Sequence, residues 1–404
     1  DLRGSVRVFC RVRPMPSRAG GDPSTLTCQP DECSVHLNHD SKPHPFSFDR
    51  CFGPVANQEQ VFNEVSDLVQ SALDGYKVCL FSYGQTGAGK THTMLGSGTG
   101  VERGVVPRSV DKILQEAKKQ RAQGWEFSME ASYIEIYNEN FRDLLSTGTA
   151  LPANNAVQHQ DGFTMVAGSV REPVDSVEAA AGLVRRANSA RIVQATQMNA
   201  ESSRSHTVFM LYIRGTHAET NTSLKGALNL VDLAGSERLA RSGAEGDRAK
   251  EACSINKSLS CLGDVFAAIG SKSSHVPYRN SKLTYLLQPC LGGEGKTLMF
   301  VNLNPEPASS QESLCSLRFA AQVNACELGG GGRKGGAKRN VTSMSGPDPA
   351  EQVQEKPSKA SATGKTSTLP GAAGKTSILP GGVKRKVGAS SSSASQADKK
   401  VRSR

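Results

Sequence analysis

Eight residues, GQTGAGKT at Gly84–Thr91, carry the plainest chemistry in the sequence. They fit the phosphate-binding pattern of a glycine, four residues and then Gly-Lys-Thr. The apolar run Val78-Cys79-Leu80-Phe81 ahead of them reads as a buried strand. Gly84, Gly87 and Gly89 let the backbone take positive φ and bring its N–H groups close to an anion. A helix opening near Gly89 would add its positive N-terminal pole. Lys90 brings a point charge to the β- and γ-phosphates, and the Thr91 hydroxyl is a Mg²⁺ ligand of the right kind. Further along, Asp232-x-x-Gly235 offers a carboxylate for a Mg²⁺-bound water and an N–H for a γ-phosphate, so the loop after it can respond to loss of that phosphate. Asn199, Ser202, Ser203, Arg204, Ser205 and His206 crowd hydroxyls, an amide and a guanidinium between a helix and a strand. Read alone, this cluster is equally a set of helix caps; beside a phosphate loop, the nucleotide reading leads.

Elements that must position these groups follow from periodicity. Strands are predicted at Ser5–Val12, Phe127–Tyr137, Thr207–Arg214, Leu224–Asp232 and Lys296–Val301, besides the one before the phosphate loop. Helical spacing is predicted over Asn57–Asp74, about 107–121, Asp175–Met198, Cys253–Ile269, Asn280–Leu287 and Gln311–Cys326. Residues 15–45 read as loop with a short hairpin, 238–250 as a mobile loop, and Pro289 as the stop of the short helix before it. Strands alternating with helices after a phosphate loop imply an α/β fold, a mostly parallel or mixed central sheet with helices on both faces.

The chain has 404 residues and a net charge of +10, but the charge is not spread evenly. Fifteen Lys and Arg stand against four acids beyond Gly329, so residues 1–328 are close to neutral. Any preference of the folded part for acidic partners must rest on local patches. The ten cysteines show no paired metal-ligand spacing and read as free thiols of a reducing compartment. No apolar run approaches the roughly 18 residues of a membrane helix, so no membrane insertion is expected. From Gly329 the composition turns to Gly, Ser, Ala, Lys and Thr, with GKTSTLP repeated as GKTSILP. Such a segment buries too little apolar surface to offset its ordering entropy, and a disordered basic tail is expected over 329–404.

RVRP (11–14), GQTGAGKTHTM (84–94), NAESSRSH (199–206), DLAGSE (232–237) and HVPYRNSKLT (275–284) together resemble the kinesin motor domain, in the family's order, across about residues 4–328. Leu2-Arg3-Gly4 running into the first strand, SALDGY (71–76) and the ending SLRFAAQVNACELG (316–329) resemble the kinesin-14 branch. The resemblance implies a motor domain over 5–328 after the end of a neck at 1–4, hydrolysing ATP to ADP with Mg²⁺ and moving toward microtubule minus ends, in spindle organisation or transport. It implies that Arg11, Arg13 and Pro14 border the adenine with His92 on the other face, and that Gln85, Thr86, Gly87, Ala88 and Gly89 cradle phosphates with Lys90 and Thr91. Ser203 is then expected at the γ-phosphate with Asn199 nearby, and Ser202 and Asp232 in the Mg²⁺ shell beside Thr91. Arg204 and Glu237 are expected to close a salt bridge between two switch loops when the γ-phosphate is present, with Glu237 as proton acceptor through a second water. Gly235 completes that set. A GTPase switch is disfavoured because no N-K-x-D stretch follows DLAGSE.

For the track, the same resemblance points to Lys257, Lys272, His275, Tyr278, Arg279 and Lys282, a local basic face for acidic tubulin; without it, these are solvated helix faces. A nucleotide-regulated cross-linker with little motility is the competing reading. No heptads occur, so a dimer would need an upstream coiled coil and this chain is expected to be monomeric. Cytoplasmic and spindle microtubules are the expected location. Lys384–Lys386 and Lys399–Arg402 have the layout of a two-part nuclear import signal. They serve equally as a weak tether to tubulin or nucleic acid, or as a solubilising tail.

Overall fold

The computed structural model describes residues 6–15, 24–97, 100–146, 151, 156–198, 202–237, 247–292, 295–326 and 341–343, without side chains at 193–198, 202, 247–253 and 341–343. Its strands are β1 (Arg7–Val12), β2 (Leu26–Cys28), β3 (Ser34–His39), β4 (Lys42–Ser47), β5 (Arg50–Phe52), β6 (Lys77–Tyr83), β7 (Trp125–Tyr137), β8 (Asn140–Asp143), β9 (Val157–Gln160), β10 (Phe163–Val166), β11 (Glu172–Pro173), β12 (His206–His217), β13 (Thr222–Asp232), β14 (Gly295–Leu303) and β15 (Val341–Ser343). The helices are α1 (Gln58–Leu73), α2 (Lys90–Met94), α3 (Val105–Arg121), α4 (Val177–Met198), α5 (Asp247–Gly270), α6 (Lys282–Leu291) and α7 (Ser310–Asn324).

One large sheet runs β11-β7-β12-β13-β6-β14-β1-β5, with β8 on β7 and β15 on β13. From β13 to β5 every pairing is parallel, whereas β12 lies antiparallel between β13 and β7. The sheet is therefore mixed, as the sequence suggests. Alternation along β6 shows how both faces are covered. Val78 and Leu80 join the core beneath α1, α3 and α4, while Cys79 and Phe81 join the core beneath α5, α6 and α7. A strand apolar on both sides is what a two-faced parallel core demands.

Helix α1 shows the local logic. Asn57 accepts the Gln60 N–H and Gln60 answers on the Asn57 N–H, a capping box that contributes about 1 kcal/mol. Val61, Val65, Leu68, Val69 and Ala72 form its buried stripe.

Four expectations need correction. Residues 15–45, read as loop with a short hairpin, hold most of a three-stranded sheet, β2-β3-β4, because Val35 and Leu37 alternate inward. Helix α5 begins at Asp247, so the end of the supposed mobile loop 238–250 is helical. Pro289 lies inside α6, which continues to Leu291. The ring falls in the last turn, where few helical bonds remain to be lost, and Gly292 N–H still closes on the Gln288 carbonyl at 2.8 Å. Val341–Ser343, placed by the sequence in a structureless tail, pairs antiparallel with Thr222–Leu224, where β13 extends beyond the end of β6 and leaves an edge open. Among the described residues no helix is long and apolar enough to cross a membrane.

Candidate functional site

The phosphate loop leaves the C-terminal end of β6, between β13 and β14. Gly84 takes φ of 146°, and a methyl group there would overlap the Asn302 carbonyl at the end of β14. Gly87 and Gly89 take φ of 76° and 97° with open space around them, so backbone freedom and not room is what they supply. Helix α2 is only five residues long. The expected helix pole is accordingly small, and the loop's own N–H groups must do most of the anion binding.

Lys90, on the first turn of α2, is 7 % exposed. Its Nζ donates to the carbonyls of Gly84 (2.9 Å) and Gln85 (3.0 Å), drawing the loop around itself. Burial pushes its pKa down, and the Asp232 and Glu237 charges oppose that. The Thr91 hydroxyl donates to Asp232 Oδ2 at 2.6 Å, and Ser82 Oγ donates to Oδ1 at 3.2 Å. Thus the two oxygen groups expected near a Mg²⁺ ion are brought into contact, and an all-oxygen set suits that hard cation. Glu237 provides a second test of fit. Its carboxylate accepts the Thr86 N–H (2.8 Å) and the Thr86 hydroxyl (2.6 Å), so its oxygens stand in for those of a phosphate on the loop's donors. The residues present fit a Mg²⁺-triphosphate.

The Arg204–Glu237 bridge is expected to close only with a γ-phosphate present; in this structure the Glu237 carboxylate is held by Thr86. The Gly235 N–H, expected to face a γ-phosphate, donates to the Ser203 carbonyl at 2.8 Å. Ser236 N–H donates to the Gly84 carbonyl at 3.1 Å. The DLAGSE strand end therefore touches both the SSRSH turn and the phosphate loop. Asn199 lies outside the described residues, as does the side chain of Ser202.

Arg11, Pro14 and His92, which the resemblance expects to border the adenine, line one cavity of about 200 Å³ together with Arg13, Ala88 and Gly89. Arg11 is buried, donates to Gln58 Oε1 and Thr93 Oγ1 (both 3.0 Å), and has its pKa lowered to about 10 by desolvation. Burial and then the Arg11 charge lower the His92 pKa, which favours a neutral ring. Arg13 works as a staple: it donates to the Gly87 carbonyl (2.7 Å), Asn304 Oδ1 (3.2 Å) and Glu306 Oε1 (2.7 Å).

Sequence reasoning missed several partners. Gln58 braces Arg11 and donates to the His92 carbonyl at 2.7 Å. Arg191, on α4, donates to Ser205 Oγ (3.2 Å) and lies 3.6 Å from Glu135 and 4.0 Å from Asp232. His206 accepts the Ala234 N–H at Nδ1 (3.1 Å), so its Nε2 carries the proton and donates to Ser258 Oγ (2.7 Å), which donates to the Ile255 carbonyl (2.7 Å). One imidazole thus joins the SSRSH turn, the DLAGSE strand end and α5. Its place in SSRSH was visible, but nothing in the sequence pointed to its partners.

The six basic-face residues fall on α5, α6 and the segment between them. Lys257, Lys272, His275 and Arg279 are exposed. Tyr278 is half-buried with its hydroxyl on the Leu291 carbonyl (3.4 Å), and Lys282 donates its N–H to Glu139 (2.8 Å). The hairpin β9–β10 packs on α6, with His159 edge-on to Tyr285.

A phosphate loop at the end of a central strand, flanked by a carboxylate-bearing strand end and a serine-rich turn, defines a phosphate-loop nucleotide-binding protein. A family profile described as the kinesin motor domain matches residues 11–326. The chain belongs to the kinesin family. It is 51 % identical over 349 residues to kinesin-like protein KIN-14C of Arabidopsis thaliana, across 81 % of this chain and 44 % of that protein. It is 47 % identical over 348 residues to kinesin-like protein klpA of Emericella nidulans, again across 81 % and 44 %. Among solved structures, it is similar to the motor domain of the Kar3-like kinesin from Ashbya gossypii, with a TM-score of 0.68 and 40 % identity, covering 80 % of this chain and all of that one. A fast kinesin matches with a TM-score of 0.75 and 36 % identity over 86 % of this chain and 96 % of that one. These relatives place the chain in the kinesin-14 branch. It spans under half the length of the curated relatives it matches.

Proposed function

We propose that this chain is the motor unit of a microtubule-stimulated ATPase, converting ATP to ADP to drive minus-end-directed movement in spindle organisation or transport. One observation carries the reading. Lys90, Thr91, Asp232 and Glu237 converge on the phosphate loop, and the strand end bearing Asp232 is tied through Ala234 and His206 to α5, the helix that carries Lys257.

In this reading Thr91, Ser202 and Asp232 would hold Mg²⁺, which would supply neutralisation of charge on the transferring phosphoryl group. Lys90 holds the β- and γ-phosphate side, while Arg11, Pro14 and His92 border the adenine and Arg13 fixes the loop beneath it. Glu237 leaves Thr86 for Arg204 and accepts, through a second water, the proton of the attacking water. Gly235, Ser203 and Asn199 position the γ-phosphate. Exchange of the Gly235 N–H between the Ser203 carbonyl and that phosphate changes how β13 meets α5. Track binding at Lys257, Lys272, His275, Arg279 and Lys282 must in turn change nucleotide affinity, because coupling of two binding sites is reciprocal. The basic residues at 384–402 are proposed to act as a tubulin tether or a nuclear import signal.

A gliding assay on polarity-marked microtubules, with a coiled-coil neck placed ahead of residue 1, tests this directly. Minus-end gliding with ATP is expected. Plus-end gliding overturns the direction, and nucleotide-dependent binding without gliding makes the protein a regulated cross-linker.

A further inference from the structure

The cavity beside the phosphate loop has a wall to which the family motifs assign no role. Gly100–Glu102 form a single helical turn between α2 and α3, and Glu102 lines the same cavity as Pro54, Asn57 and Gln58 of the β5–α1 turn. The turn is pinned from several sides. Ser97 N–H donates to the Glu102 carbonyl (3.1 Å), Arg103 N–H to the Gly100 carbonyl (3.3 Å), and Gly104 N–H to the Leu95 carbonyl (3.0 Å). Arg108, reaching back from α3, donates to the carbonyls of Val101 (2.7 Å) and Arg103 (2.8 Å). The Arg103 side chain adds to this, its Nε donating to the Gly100 carbonyl (3.1 Å) while its other end reaches Asp111 (3.5 Å). Glu102 therefore stands on a fixed backbone, the condition for a side chain that must recognise a ligand.

Most polar side chains around the cavity are already committed. Arg11 is held by Gln58 and Thr93, Gln58 by His92, and Arg13 by Gly87, Asn304 and Glu306, while Asn302 donates to Thr93 and keeps a buried, unpartnered Oδ1 among the described residues. Among the described residues Glu102 brings the only carboxylate to the lining, and that carboxylate makes no hydrogen bond there. Its charge reaches both Arg11 and His92, the residues expected to border the base.

We propose that Glu102 reads the edge of the base, accepting a hydrogen bond from the exocyclic 6-amino group of an adenine nucleotide and so selecting it over guanine. The inference rests on the nucleotide-site reading above. An ionised carboxylate is an acceptor only. The adenine 6-amino group is a donor, whereas guanine presents an oxygen at that position, which would oppose the carboxylate's lone pairs. A hydrogen bond to a charged group contributes up to about a hundredfold in affinity, and the exposure of Glu102 places the expected effect near tenfold.

The test pairs Glu102→Ala and Glu102→Gln with ATP, GTP and purine riboside triphosphate, which lacks any 6-substituent. Two quantities are read: kcat/KM for each triphosphate, and the Kd of each by displacement of a fluorescent ADP. The unsubstituted protein should prefer ATP over purine riboside triphosphate and GTP, and Glu102→Ala should lose about tenfold of both preferences. Glu102→Gln, which keeps an acceptor and adds a donor, should lose chiefly the discrimination against GTP. Unchanged ratios, or a preference for ATP that rises in Glu102→Ala, overturn the assignment of Glu102 while leaving the ATPase reading intact. Failure of the unsubstituted protein to bind any of the three overturns that reading and this one together.

Discussion

Acid should loosen this domain at one imidazole. His206 is 2 % exposed and sits among cations, so burial first, then Lys90 and Arg191, push its pKa down to about 3. In an unfolded chain the same ring titrates near pH 6.5, roughly the free-histidine value. The folded pKa is the lower one, so the unfolded state takes up the proton first. The stability this group contributes is complete above about pH 6.5 and is lost as pH falls toward 3. At pH 5 the ring is almost wholly protonated in the unfolded chain and neutral in the native one, a difference of about 2 kcal/mol. That is a substantial share of the roughly 5–15 kcal/mol typical of a domain. Protonation at Nδ1 would also expel the Ala234 N–H. Urea unfolding at pH 7.5 and pH 5.0 should show the unsubstituted protein losing about 2 kcal/mol more than His206→Gln. Gln leaves the Ala234 N–H without its acceptor and lowers stability at both pH values, but it does not titrate, so the comparison lies in the slopes. Equal slopes would refute the reasoning.

Gly84→Ala should destabilise by at least about 2 kcal/mol, from a glycine-only φ and the overlap with the Asn302 carbonyl, with thermal unfolding as the check. Full stability in that variant would mean that β6 and β14 separate easily. Glu237→Ala should keep ATP and microtubule binding but lower kcat by about 10²-fold or more; normal turnover rules out its assignment as proton acceptor. Added salt should weaken microtubule stimulation of the ATPase, since Lys257, Lys272, His275 and Arg279 are exposed. Stimulation that ignores salt contradicts the basic-face account.

What could be read in advance divides along physical lines. The phosphate loop was legible because each of its requirements is local: a strand before it, glycines for positive φ, then Lys90 and Thr91. The mixed sheet followed from alternating periodicities. The capping box of α1 was present in Asn57 and Gln60, although its contact with the site through Gln58 was not. Partners joined across long stretches of chain left no trace in composition or spacing. Gln58 with His92, Arg191 with Asp232, and His206 with Ser258 meet only once the sheet has formed. Pro289 does not end α6, because it falls in the last turn and the Gly292 N–H still closes on the Gln288 carbonyl. Glu237 was placed by its expected chemistry in one phase of a cycle, and this arrangement holds it on Thr86.

The staple made by Arg13 also bears on how the protein is born. It holds the phosphate loop against Asn304 and Glu306, and Gly84 abuts Asn302, so the loop is completed by chain made more than two hundred residues later. At about 5–20 residues per second, a ribosome that has just synthesised the glycine-rich loop needs roughly 10–45 s to supply its backing. The nascent chain should therefore acquire nucleotide only once β14 and the Asn304–Glu306 segment have been made, and until then β6 and β1 lack the strand β14 that lies between them.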